Sequence, residues 1–259
     1  MILAIDIGNT NTVLGGMEGS QLLFMLRIRS DPLKTAAEYM LTIKGLLELK
    51  DVDPAQIEGG IISSVVPELK NVMGRAMEEL TGKQFLVVGS GIKTGLNIKM
   101  DNPGQLGADL VVDAVAALSK YKPPLVFFDM GTATTLSVID KKSNYIGGMI
   151  IPGLRLSVDA LSAKAAQLPY INLNAPEQLI GTNTIACMQA GAIYSNAAMI
   201  DGLLERVEEA LGEPVTAVAT GGLMATVLPY CKRTIHYDEN LMLEGLRILY
   251  QKNCSRKKQ

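Results

Sequence analysis

An apolar run, a turn of Asp, Gly and Thr, and a second apolar run occur twice in this chain, half its length apart. The first copy is Ile2-Leu-Ala-Ile-Asp-Ile-Gly-Asn-Thr-Asn-Thr-Val-Leu14, and the second, FFDMGTATTLSVI, covers residues 127–139. A short apolar run bounded by turn residues predicts a buried strand, so each copy predicts strand, turn, strand. Equal spacing pairs Asp6 with Asp129, Gly8 with Gly131 and Thr12 with Thr135. A repeat at this separation predicts two related domains.

The turn residues have a chemistry in common. Glycine lets the backbone approach a bulky anion, so that N–H groups and threonine hydroxyls can donate to phosphate oxygens. A carboxylate such as Asp6 can hold Mg²⁺, which takes one or two carboxylates together with phosphate oxygens and water. Either turn alone reads equally well as a tight hairpin. Two of them facing each other across a cleft would clamp a nucleoside triphosphate.

The paired Asp-x-Gly-x-Thr-x-Thr turns resemble the two phosphate motifs of the acetate and sugar kinase/heat-shock ATPase/actin superfamily. The order DIGNTNT, NPGQLGAD, DMGTATT and GGMIIPG is similar, more narrowly, to type III pantothenate kinase, and the likeness runs from Ile2 to about Asn253. The resemblance implies an α/β fold of two related ribonuclease H-like domains, the actin-like ATPase fold, with the nucleotide cleft between them. Lys122-Pro123-Pro124 suggests the boundary, giving domains 1–122 and 123–259, the second with a dimer-forming helix.

The same resemblance implies residue roles. Asp6, Ile7, Gly8, Asn9, Thr10, Asn11, Thr12, Val13 and Thr132 would bind ATP, and Asp6 could also meet Mg²⁺. Asp129 would hold a monovalent cation, K⁺ or NH₄⁺. Gly107, Ala108, Asp109 and Leu110 would line the pantothenate pocket, with Asp109 as the base that takes the proton of the primary hydroxyl. Thr184 would complete that pocket across a homodimer. Read from position alone, Asp109 is equally an acidic residue complementing a helix N-terminus.

The family's Arg after Gly-Ala-Asp is Leu110 here, and no aliphatic side chain reproduces a planar, bidentate guanidinium contact. Two other readings therefore stand beside pantothenate phosphorylation, the first step of coenzyme A biosynthesis. One is a same-fold kinase for another small hydroxyl compound. The other is a nucleotide-binding regulatory protein with weak turnover.

Composition narrows the rest. The charge is nearly balanced at −2 over 259 residues, which argues against a nucleic-acid partner. Cys187, Cys231 and Cys254 are far apart and odd in number, consistent with reduced thiols and a cytoplasmic location. His236 has no Cys or second His near it in sequence and reads as structural. No targeting segment is visible and no stretch reads as a membrane span. The basic cluster from Lys252 to Gln259 reads as a solvated end.

Periodicity fills in the connections. Gln21–Ile28 predicts a strand, Thr35–Leu49 an amphipathic helix, and Gly59–Val66 a buried strand. Helices are predicted over Glu68–Leu80, Leu110–Leu118, Leu154–Leu168 and from Gly181-Thr-Asn-Thr184 to Leu211. The last has an apolar face at Ile193, Ile200, Leu203, Leu204, Val207 and Leu211. Its second strip, Met188, Gly191, Ser195 and Ala198, suggests a subunit interface. Val215–Ala219 predicts a strand, Thr220-Gly221-Gly222 a turn and Leu241–Tyr250 a closing helix, and the superfamily resemblance implies that this Gly-Gly turn sits close to the adenine and ribose.

Overall fold

A computed structural model describes residues 1–254; most of the basic tail lies outside them. The chain opens with strands β1 (Ile2–Ile7), β2 (Asn11–Glu18) and β3 (Gln21–Arg29), then α1 (Ala36–Glu48), β4 (Gly59–Ser64), α2 (Pro67–Thr81) and β5 (Leu86–Val87). It continues through β6 (Asn97–Ile98), α3 (Ala108–Lys120), β7 (Leu125–Met130), β8 (Ala133–Ile139), β9 (Asn144–Pro152) and α4 (Leu154–Lys164). The long α5 (Thr184–Leu211), β10 (Thr216–Thr220), the single turn α6 (Met224–Val227), β11 (His236–Tyr237) and α7 (Leu241–Cys254) complete it.

These elements form two compact units. The first contains Met1–Leu96, Asn102–Ala116 and the chain from Asn240 onward, and the second contains Asn97–Asp101 and Ala117–Glu239. A division at 122/123 follows sequence order, whereas the compact units do not: α7 returns to the first unit, and β6 is lent to the second.

The first sheet has the order β3-β2-β1-β4-β5. Strands β1, β2 and β3 form an antiparallel meander, and β4 and β5 run parallel to β1. Leu3, Ile5 and Ile7 pack on one face with Tyr39, Ile43 and Leu47 of α1 and Leu69, Met73 and Met77 of α2. On the other face, Ala4 and Ile61 meet Val112 and Val115 of α3 and Leu243, Leu246 and Leu249 of α7. Burial on both faces explains why β1 and β4 read as continuous apolar runs.

The second sheet has the order β11-β10-β7-β8-β9-β6. Its meander is β7-β8-β9, with β10 parallel to β7 and β11 parallel to β10. The first sheet's order is thus repeated strand for strand, with β6 added beside β9. Val126, Phe128 and Met130 pack there under Leu154 and Val158 of α4 and Ile193, Ile200 and Leu204 of α5.

Helix ends follow local chemistry. Thr35 accepts from the Glu38 N–H at 3.3 Å while its own N–H donates to Glu38 Oε2 at 2.8 Å, a reciprocal cap on α1. Asn183 Oδ1 accepts from Ala186 at 3.0 Å and starts α5, which Gly212 stops at φ 70°. Helix α4 ends at Lys164, short of the predicted Leu168, because the chain turns there: Leu168 N–H bonds to Ala165 O, and Ser162 Oγ to Pro169 O.

Candidate active site

The register of the two hairpins fixes how the repeated turns correspond. Ile7 pairs with Thr12 across β1 and β2, and Met130 pairs with Thr134 across β7 and β8. The Gly8 N–H donates to Asn11 O at 3.0 Å, and the Gly131 N–H donates to Ala133 O at 3.0 Å. The first turn therefore holds one residue more, Asn9. Beyond it, Thr10 corresponds to Thr132 and Thr12 to Thr134. Matching Thr12 with Thr135 by equal spacing is corrected by one position, because the inserted residue displaces everything after it.

Matched this way, the two copies agree in exposure as well. Thr10 and Thr132 are exposed at the turns, with Asn9 and Asn11 beside the first; Thr12 and Thr134 are buried. Asp6 and Asp129 are half-buried, each one residue before the end of its strand. Their neighbours Ile7 and Met130 point into the cores, and Val13 is partly buried against the α3–α7 side. Each turn thus carries a half-buried carboxylate, a glycine and an exposed threonine. The donor set fits magnesium at Asp6, where one carboxylate leaves positions for phosphate oxygens and water.

In the second unit, two further glycines close around the turn. A methyl on Gly153 would sit 2.1 Å from Thr132 O and 2.8 Å from Gly131 O, so the Pro152-Gly153 corner lies directly against the turn's backbone. Gly221, at φ 95°, would carry its methyl 2.6 Å from Met130 N and 2.8 Å from Asp129 Oδ1. The Thr220-Gly221-Gly222 turn therefore touches the end of β7 and the Asp129 carboxylate.

Asp109 stands in the first turn of α3, in the first unit. Its Oδ1 accepts the Leu110 N–H at 2.9 Å, and a methyl on Gly107 would fall 2.3 Å from that same oxygen. Gly107 leaves room for the carboxylate to fold back over the helix start. Burial pushes the Asp109 carboxyl above the ordinary aspartate range, and the Leu110 N–H opposes the shift without cancelling it. Ala108 and Leu110 flank it and are partly buried.

Thr184 is the first residue of α5 and is exposed. It lines an open apolar groove of about 730 Å³ with Leu154, Leu161, Cys187, Met188, Gly191 and Ser195. The apolar face predicted for α5 is buried at Ile193, Ile200, Leu204 and Val207, while Gly191, Ser195 and Ala198 remain exposed. Among the described residues Gly191, Ser195 and Ala198 are uncovered, whereas Met188 of the same strip packs partly against the core.

Sequence reasoning missed Ser30. It is buried just after β3, its Oγ lies 2.9 Å from Thr12 Oγ1, and its N–H donates to Thr10 O at 3.0 Å. A Ser-Asp-Pro stretch in the sequence signals only a loop. Of the two serines at the end of β4, Ser64 Oγ bonds to Val66 O at 2.8 Å, a local strand-end contact.

The profile of the type III pantothenate kinases matches residues 2–206. A type III pantothenate kinase from Exiguobacterium sp. is 44% identical over 253 residues, which is 98% of this chain and 99% of that one. The chain belongs to the type III pantothenate kinase family. A second member, from Moorella thermoacetica, is 43% identical over 98% of this chain and 100% of its own. Among solved structures, the activator of the 2-hydroxyisocaproyl-CoA dehydratase from Clostridium difficile, with bound ADPNP, matches with a TM-score of 0.59 at 12% identity, covering 100% of this chain and 97% of that one. That likeness is one of fold, and it agrees with the repeated sheet order: the chain has the actin-like ATPase fold expected from its paired turns.

Proposed function

We propose that the protein transfers the γ-phosphoryl group of ATP to the primary hydroxyl of pantothenate, giving 4′-phosphopantothenate at the start of coenzyme A biosynthesis. The observation that carries this reading is the half-buried carboxylate of Asp109 at the start of α3, in a chain whose family membership extends over the matched profile. The residues assigned to ATP are Asp6, Gly8, Asn9, Thr10 and Asn11 of the first turn and Thr132 of the second. Ile7, Thr12 and Val13 shape the first turn from its strands. Asp6 would hold Mg²⁺, which would supply charge neutralisation to the phosphates, and Asp129 would hold a monovalent cation, K⁺ or NH₄⁺.

Asp109 takes the proton of the attacking hydroxyl. A base matched to its proton in this way contributes typically ~10²–10⁴-fold, and the remaining rate comes from positioning and electrostatic stabilisation. The raised carboxyl supports the role, since a stronger base accepts the proton more readily. Gly107, Ala108 and Leu110 form the acceptor's surroundings. The uncovered strip of α5, with Thr184 at its head, supports a homodimer in which a second copy covers the groove. Among the described residues no helix is long and apolar enough to cross a membrane. We place the enzyme in the cytoplasm.

Leu110 favours a second reading, in which a same-fold kinase acts on a small hydroxyl compound without pantothenate's carboxylate. A regulatory protein with weak turnover is the third, and the half-buried Asp109 speaks against it, because nucleotide binding alone has no use for a base. Pantothenate-dependent release of ADP from ATP and Mg²⁺, measured with K⁺ or NH₄⁺ and then with Na⁺, tests the proposal. Turnover that requires pantothenate supports it. Turnover with another hydroxyl compound alone supports the second reading.

A further inference from the structure

The first turn is held from behind by a continuous set of hydrogen bonds that the proposed chemistry does not use. Tyr39, fully buried on α1, brackets one peptide: the Asp31 N–H donates to its Oη at 2.8 Å, and its hydroxyl donates to Asp31 O at 3.0 Å. Those two bonds fix the backbone on either side of Asp31. The preceding residue, Ser30, then reaches the turn twice, through its N–H to Thr10 O at 3.0 Å and through its hydroxyl to Thr12 Oγ1 at 2.9 Å. Thr10 is the exposed threonine of the turn, and Thr12 is the buried one beneath it.

We propose that Ser30, anchored by Tyr39, is a positioning residue that sets the conformation of the first turn and thereby the enzyme's affinity for ATP. This rests on the reading of that turn as an ATP site. A loop carrying several main-chain and hydroxyl donors binds an anion well only if the donors converge before the anion arrives, since ordering them on binding costs free energy. Ser30 supplies that order from the side away from the nucleotide. It fixes a carbonyl on one side of the turn's tip and a hydroxyl at its root. The corresponding hydroxyl of the second turn, Thr134 Oγ1, is buried with no hydrogen-bond partner among the described residues, and it lacks the tie that Ser30 gives Thr12. Ser30 touches neither phosphate nor metal in this scheme and acts only through Thr10 and Thr12.

The test compares Ser30→Ala, Thr12→Val, the double variant and Asp6→Asn with the full-length protein. ATP affinity is measured by titration calorimetry, and KM for ATP and for pantothenate by ADP release. Thr12→Val keeps the side-chain shape, so it carries the test if Ser30→Ala fails to fold. Each single variant is expected to weaken ATP binding by roughly 3- to 10-fold, the worth of one hydrogen bond, with KM for pantothenate unchanged. The double variant should be no worse than the poorer single, because both remove the same bond. Equal losses for both substrates, or additive losses in the double variant, would overturn the proposal. So would unchanged ATP affinity in Ser30→Ala and Thr12→Val while Asp6→Asn loses it. Unchanged affinity in Asp6→Asn would instead overturn the reading of the turn itself.

Discussion

Ser30 and Gly153 hold equivalent places, each one residue beyond the third strand of its sheet's meander, and they support the turn beside them in opposite ways. The equivalence follows from register: Asn11 pairs with Arg29, and Ala133 pairs with Pro152. Ser30 reaches into its turn with a hydroxyl and an N–H. Gly153 has no side chain and lets the carbonyls of Gly131 and Thr132 press against its Cα. One turn is tied and the other is packed.

Gly153→Ala should therefore be costly. Its methyl would meet backbone oxygens, which cannot swing aside, so the turn or the corner must move. A loss of about 1–3 kcal/mol in stability is expected, as for overpacking in a filled site, together with weaker ATP binding. Chemical denaturation and ATP titration check both. A variant with wild-type stability and affinity would contradict the close packing.

The buried threonines should respond to valine with opposite signs. Among the described residues Thr134 Oγ1 is buried without a hydrogen-bond partner, so Thr134→Val removes a desolvated hydroxyl and should leave stability unchanged or raise it by up to about 1–2 kcal/mol. Thr12→Val leaves Ser30 Oγ without its bond and should lower stability by about 1 kcal/mol. Thermal melts of the pair, side by side, decide.

Asp109→Asn should abolish most turnover while stabilising the fold. Turnover should fall by roughly 10²–10⁴, the usual worth of a general base. The folded carboxyl titrates above its unfolded value, so the folded state binds the proton more tightly. Stability from this group is present below the unfolded pKa and is lost as pH rises through the folded one. At neutral pH the charged Asp109 is thus a burden that asparagine lacks, and the variant should melt higher. The same shift moves the acid limb of kcat/KM to higher pH than an exposed aspartate would give. A pH–rate profile falling only at the pH of an ordinary aspartate would contradict it.

Leu110→Arg should lower KM for pantothenate if that is the acceptor. A charge-assisted hydrogen bond contributes roughly 1.5–3 kcal/mol, or about one to two decades in affinity. Steady-state kinetics on the variant give the answer. Weaker pantothenate turnover with the arginine would favour an acceptor lacking a carboxylate.

The strands of the two meanders were legible because Asp, Gly and Thr punctuate two apolar runs, and a turn of that composition has few other conformations. The inserted Asn9 was not. Thr134 and Thr135 are adjacent, so equal spacing finds a threonine opposite Thr12 whichever register is true. Ser30 was hidden for a different reason: its partner Thr12 lies 18 residues away, and only the closing of β2 on β3 brings them together. The apolar face of α7 showed that it must be buried, but amphipathicity does not say against which sheet. Gly107 looked like part of a motif; the coordinates show the carboxylate that needs its space.

That return of α7 has a consequence for how the protein is made. Ala117–Glu239 leaves the ribosome as one uninterrupted stretch, with all of the second sheet except β6 encoded in it, and β6 already synthesised. The first unit, begun at Met1, waits for Asn240 and beyond to cover Ala4, Ile61 and Val112. Synthesis of α7 is therefore the event that completes the cover of the first sheet, and until then α3 alone packs on that face.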